Sequence, residues 1–231
     1  KAWNYLQGSG LNPKTNPLAC FLMASIAQKI SKNDIALDML SNRPKGPEYA
    51  AFHYLDFMEG KSQLYKLDPT ANVLIESFIK NFKGRHYIKE AYQKLAWYQL
   101  VINENLPSYK YYMQKCKKEG YDLIDEDKQA LKEANKDDLP NAALLTARLL
   151  FDGGYHFKSY QTLIKKSYLF ENNTELQLEY YYRLGRVSQA LKNSYDALYY
   201  YGMAILKGKN SKAYYPCSSA LYMGLIYENQ A

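Results

Sequence analysis

The chain has 231 residues, 47% of them hydrophobic and 15% aromatic, with a net charge of +7. That composition excludes a disordered chain and permits a sizeable buried core, and no apolar run approaches the ~18–20 residues of a membrane-spanning helix. Cys20, Cys116 and Cys217 are odd in number and far apart, with no CxxC, which excludes a disulfide framework or a zinc site and reads as buried thiols.

In chain order, GSGLNP near the N-terminus reads as a loop. Residues 17–43 read as a helix pair in which Met23-Ala24 is answered thirteen residues on by Ala36, then by Leu40. Residues 47–86 read as a divergent pair. There EYAAFHYLDFMEG and PTANVLIESFIKNFKG are helical by periodicity, and Gly84 is expected to stop the second. At 89–118 the first pattern returns as Leu95-Ala96, Ser108 and Tyr112. Residues 119–138 hold eight acids against three lysines, a net −5 that leaves +12 for the rest; DEDKQALKEA within them predicts a short helix with Asp125, Glu126 and Asp127 in its first turn. The pattern recurs at 142–170 with Thr146-Ala147, Ser159 and Leu163. It is clearest at 178–207, where Leu184-Gly185 is followed by Ala197, Tyr201 and Ala204. Residues 217–231 repeat the first half alone, with Met223-Gly224 and Tyr227.

Small residues at matched points let two antiparallel helices approach closely, one offering Gly, Ala or Ser beneath the other's bulky side chain. In the clearest copy Gly185 and Ala197 are the small partners and Tyr201 is the filler. This pattern resembles the tetratricopeptide repeat, a helix–turn–helix unit of about 34 residues. FKGRHYIKEAYQKLAW and ARLLFDGGY are similar to stretches of bacterial tetratricopeptide proteins without an assigned activity. The slot that often carries Trp in that family holds Cys20, Tyr92, Ala143 and Tyr181 here, and the spacing from Ala96 to Ala147 is 51 residues, stretched by the acidic insert.

The resemblance implies an all-α fold, a right-handed α-solenoid with a divergent helical pair and an acidic helical insert, running as one elongated superhelix over 1–231. It also implies a concave groove lined by the first helix of each unit, where relatives bind peptide segments. Carried over slot by slot, the inward positions include Lys94, Trp97, Arg148, Tyr182, Arg183 and Arg186. Together these six form the expected partner-binding set, a basic and aromatic groove suited to carboxylates. Asp152 lies four residues after Arg148 and Glu179 four before Arg183, so ordinary helical ion pairs are the competing account of those two arginines. The acidic insert could itself lie in the basic groove.

No catalytic constellation is visible. His53, His86 and His156 stand alone, and there is no HExxH, GxSxG elbow or phosphate-binding glycine loop. The EF-hand spacing begun by Asp125 and Asp127 fails at Ala130 and Lys136. KCKK at 115–118, IKK at 164–166 and KGKNSK at 207–212 fall where second helices end, so they read as complements to helix dipoles, and nucleic acid is not expected as a partner. The expectation is a non-catalytic interaction scaffold without cofactors that binds a protein or peptide partner, with an accessory module of a bacterial envelope assembly binding extended peptide or glycan as the alternative. A start at Lys1 and the bacterial resemblance favour export to the periplasm or envelope. The apolar face of the final half-unit, Leu221, Leu225 and Ile226, is expected to be covered by further chain or by a second copy.

Overall fold

A computed structural model describes residues 1–136 and 138–230. Among them are thirteen α-helices, one 3-10 turn and no strand. By contacts the chain divides into two compact units, Lys1–Leu139 with Asp152–Gly154, and Pro140–Phe151 with Tyr155–Ala231.

The first unit holds α1 (Ala2–Gly8), α2 (Pro17–Lys29), α3 (Asn33–Ser41), α4 (Tyr54–Tyr65), α5 (Ala71–Asn81), α6 (Ile88–Val101), α7 (Leu106–Lys118) and α8 (Asp125–Asn135). Its core has two parts. One gathers Trp3, Cys20, Ala24, Ala36, Leu40 and Met58; the other gathers Phe57, Ile75, Phe78, Ile88, Ala91 and Leu95. In the second unit α9 (Ala142–Asp152) and α10 (His156–Lys165) precede a 3-10 turn, Ser167–Phe170. α11 (Thr174–Ala190), α12 (Ser194–Lys207) and α13 (Tyr215–Glu228) follow.

Two local devices recur. Asparagine caps the N-termini of α2, α7, α9, α11 and α12, its side-chain oxygen accepting from backbone N–H groups inside the first turn: Asn16, Asn105, Asn141, Asn173 and Asn193. The hairpins α2–α3, α4–α5, α6–α7, α9–α10 and α11–α12 each turn through a left-handed residue, respectively Ser31, Leu67, Glu104, Gly154 and Lys192. The next N–H in four of them, those of Lys32, Asp68, Tyr155 and Asn193, donates to the carbonyl five residues back at 2.8–2.9 Å, the Schellman closure. Asn105 reaches one residue further, to Gln99.

Helix spacing within a hairpin is set by the small residues. A Cβ placed on Gly185 would lie 2.5 Å from a ring carbon of Tyr201. Both Ala197 and Tyr201 are fully buried, and the Tyr201 hydroxyl donates to Gln189 at 2.8 Å. Ala24, Ala36, Ala96 and Ala147 are likewise buried, and the Ser159 hydroxyl donates to the Ala147 carbonyl at 2.7 Å. The divergent pair α4–α5 uses the same device unannounced, since a Cβ on Gly60 would meet Ile75 at 2.7 Å.

Three expectations are corrected. Residues 48–53 are not helical. Instead, Arg43 is buried and holds the segment's start by donating to the Leu40 carbonyl, Asp56 and Glu59, while Phe52 packs on Phe21 with ring centroids 5.5 Å apart. Helix α5 stops at Asn81, not at Gly84, because Phe82 turns extended to stack on Phe78 at 4.9 Å. Its ring then covers Gly84, where a Cβ would lie 2.3 Å away. Cys217 is exposed, while Cys20 and Cys116 are buried.

Candidate partner-binding surface

Of the six residues expected to bind a partner, Lys94 and Trp97 lie in the first unit. Arg148, Tyr182, Arg183 and Arg186 lie in the second.

On α6, Lys94 and Trp97 meet directly, the ammonium 3.8 Å from the ring centroid. Both are buried, at 6% and 1% exposure. The acidic helix α8 lies across this part of α6. Glu133 accepts from the Trp97 indole N–H at 2.6 Å and from the Gln93 amide at 2.7 Å. Asp127, expected to complement its own helix dipole, is fully buried and caps α6 instead, accepting from the backbone N–H of Tyr87 at 2.6 Å and of Glu90 at 2.9 Å. Tyr87 is itself left-handed, held by that cap and by the ring of Tyr54 at 4.3 Å. Burial pushes the Asp127 carboxyl above its ordinary value against the pull of its N–H donors. Insert and α6 thus form one polar contact, with Gln93 and Trp97 inside it.

Beneath it lies a buried ion cluster. Glu90 accepts from Lys61 at 3.1 Å and faces Lys94 at 3.7 Å, all three side chains at most 12% exposed. Burial alone would raise the Glu90 carboxyl; Lys61 and then Lys94 outweigh it, and the net shift is downward. Two cations on one carboxylate hold this interior in register at the cost of their desolvation.

The second unit places its cations differently. Helix α11 carries Glu179, Tyr182, Arg183 and Arg186 over two turns. Arg183 is mostly buried and donates through Nε to Glu179 at 2.7 Å, with Nη2 on the same oxygen, so the i,i+4 pair forms. Arg186 has no carboxylate partner among the described residues. Its guanidinium lies 5.0 Å from the ring centroid of Phe151 and 4.4 Å from that of Tyr222, and Nη1 donates to the Tyr182 hydroxyl at 3.2 Å. Both rings are within cation–π reach, and of the five N–H donors of the guanidinium one is bonded among the described residues.

The surrounding rings fix this arrangement. Tyr222 stacks on the buried Tyr201 at 5.7 Å, which Gly185 admits. Tyr182 meets Tyr215 at 5.1 Å and Tyr214 at 5.8 Å. Burial pushes the Tyr182 phenol up, partly offset by Arg186, so it stays protonated at neutral pH. His156 packs on Phe151 at 5.0 Å. Burial and then the Arg186 charge hold its pKa down, and its buried Nδ1 has no protein partner. Arg148 is half-buried on α9. The repeat pattern gives neither Phe151, within ARLLFDGGY, nor His156, a histidine that stands alone in the sequence, an inward slot; the fold brings both to Arg186.

No described group of His, Cys, Asp or Glu could hold a metal ion, and no described helix is long and apolar enough to cross a membrane. Searches found no family model, curated protein or solved structure that matches this chain.

Proposed function

We propose that the chain is a non-catalytic interaction scaffold built from tetratricopeptide-like hairpins stacked as an α-solenoid, and that Arg186 is its anchor for a carboxylate of a protein or peptide partner. Support for the repeat comes from five hairpins, the divergent α4–α5 among them, that share a left-handed turn residue. The observation that carries the binding role is a guanidinium held by two aromatic faces, with one hydroxyl contact and no acid. A bidentate carboxylate fits such an edge, and the rings reduce the entropy lost in ordering it. No cofactor is invoked. A second reading, an envelope-associated module that holds extended peptide or glycan, is favoured by the adjoining tyrosines 182, 214, 215 and 222, whose rings meet edge-on or tilted. Ile226, expected on the uncovered face of α13, is buried against Leu178 and Tyr201, while Leu221 and Leu225 stay exposed and favour a second copy of the chain as a further partner under either reading.

Affinity capture with mass spectrometry tests the scaffold. Arg148→Glu combined with Arg186→Glu is expected to leave the helical circular dichroism unchanged and to abolish partner recovery. Recovery equal to wild type refutes the anchoring role, and turnover of a substrate by the purified chain refutes the non-catalytic reading.

A further inference from the structure

The second unit presents one rim of helix ends. α10 runs into the 3-10 turn, whose Phe170 docks on Tyr180 of α11 with ring centroids 5.1 Å apart. At the end of α12, Gly208 packs against Leu178, and the Ser211 hydroxyl donates to Glu175 at 3.1 Å. Both ends are therefore tied to the first seven residues of α11, a span of ~10 Å along its axis.

This rim is apolar and cationic at once. Ile164, Tyr168, Leu169 and Leu206 are 41%, 65%, 44% and 69% exposed. Interleaved with them are Lys165, Lys166, Lys207, Lys209 and Lys212, against Glu171 and Glu175. Glu175 is already engaged by Ser211. Helix dipoles account for lysines in the last turns of α10 and α12. They do not account for Lys209 and Lys212, which lie beyond α12, or for the aliphatic side chains standing in water beside them.

A polyanion in water satisfies the lysines and leaves Leu169, Leu206 and Ile164 exposed. A negatively charged bilayer satisfies both. Aliphatic side chains enter the boundary below the headgroups, Tyr168 sits at headgroup level, and the lysine stems extend along the apolar surface with their ammonium groups at the phosphates. The geometry points to an anionic lipid surface as the partner of this rim, bound peripherally and without insertion of any helix. This rests on residues separate from Arg186 and stands whether or not Arg186 anchors a peptide.

Sedimentation of the full chain with vesicles tests it, using phosphatidylcholine alone and phosphatidylcholine with about a third phosphatidylglycerol, enough negative charge to attract a polybasic rim. Binding is expected on the anionic vesicles and not on the neutral ones. Each lysine is worth about five-fold in partitioning, so Lys165→Gln with Lys209→Gln should lower it about 30-fold. Leu169→Gln with Leu206→Gln, surface changes that leave the core and the net charge intact, should lower it by more than ten-fold. Absence of binding, equal binding to neutral vesicles, or an undiminished Leu169→Gln/Leu206→Gln variant overturns the inference. The last result, together with displacement by duplex DNA, would make the rim a plain polyanion site.

Discussion

Replacing Gly185 by alanine tests the packing on which both the hairpin and the arginine site depend. The added Cβ would stand 2.5, 2.6 and 2.9 Å from three ring carbons of Tyr201, where ordinary contact begins near 3.4 Å. The ring cannot swing aside, because it is fully buried and its hydroxyl is tied to Gln189 at 2.8 Å. α12 must therefore move outward by roughly 1 Å, an overpacking cost of about 1–3 kcal/mol. Alanine returns up to ~1 kcal/mol of helix propensity, so the net loss is about 0–2 kcal/mol. Gly202 and Gly224 supply the controls, since a Cβ there meets nothing within 4 Å. Gly202→Ala and Gly224→Ala should each stabilise by about 0.5–1 kcal/mol. Thermal melts followed by circular dichroism separate the cases at about 2–4 °C per kcal/mol. Adding Tyr201→Leu to Gly185→Ala should recover much of the Gly185 loss, a coupling that a double-mutant cycle measures. A Gly185→Ala protein that melts above wild type, alongside Gly202→Ala, refutes the account.

Glu90→Gln leaves Lys61 and Lys94 buried without their anion and should cost about 3–5 kcal/mol in urea unfolding at neutral pH. Because the Glu90 pKa is lowered from its ordinary 4.5, its contribution is present above that value and lost as pH falls through the folded one; the variant should show a weaker acid dependence than wild type. Trp97→Phe removes the indole N–H from Glu133, a charge-assisted bond of about 1.5–3 kcal/mol, and amide exchange should quicken in α8 before α6. Cys217 alone should react with a thiol reagent in the native state. Burial raises Cys20 to about 11 and Cys116 to about 12, so both should react only on unfolding.

Helix pairs were legible wherever a small residue was answered at fixed spacing by another, because that is a local rule of close approach: Gly185 with Ala197, Ala147 with Ser159, Ala24 with Ala36. The same physics operates at Gly60 and Ile75, but at a different spacing, so periodicity gives the divergent helical pair and not the contact that joins its helices. Residues 48–53 follow a helical period but do not form a helix, since Arg43 and Phe52 are held by partners in α2, α3 and α4 that periodicity does not register. Asp127 shows the same limit. Its position in a first turn suggested a dipole complement, while its bonds run to backbone N–H groups about 40 residues earlier.

Arg183 and Arg186 lie three residues apart on one helix and solve the problem of a half-buried cation in opposite ways. The first has an anion one turn away on its own helix, so its fate could be read from spacing, and the pair leaves it little to offer a ligand. The second receives its surroundings from α9 and α13, some 35 residues to either side, which no local rule anticipates. Two ring faces partly replace the water stripped from the guanidinium, and one phenol hydroxyl takes one of its five donors. Within the chain these contacts outweigh the cost of burial and favour the charged form of Arg186, and under the proposed reading a carboxylate arriving at its remaining donors meets a cation already positioned by rings. Specificity in such a surface lies in which cation is left without its acid.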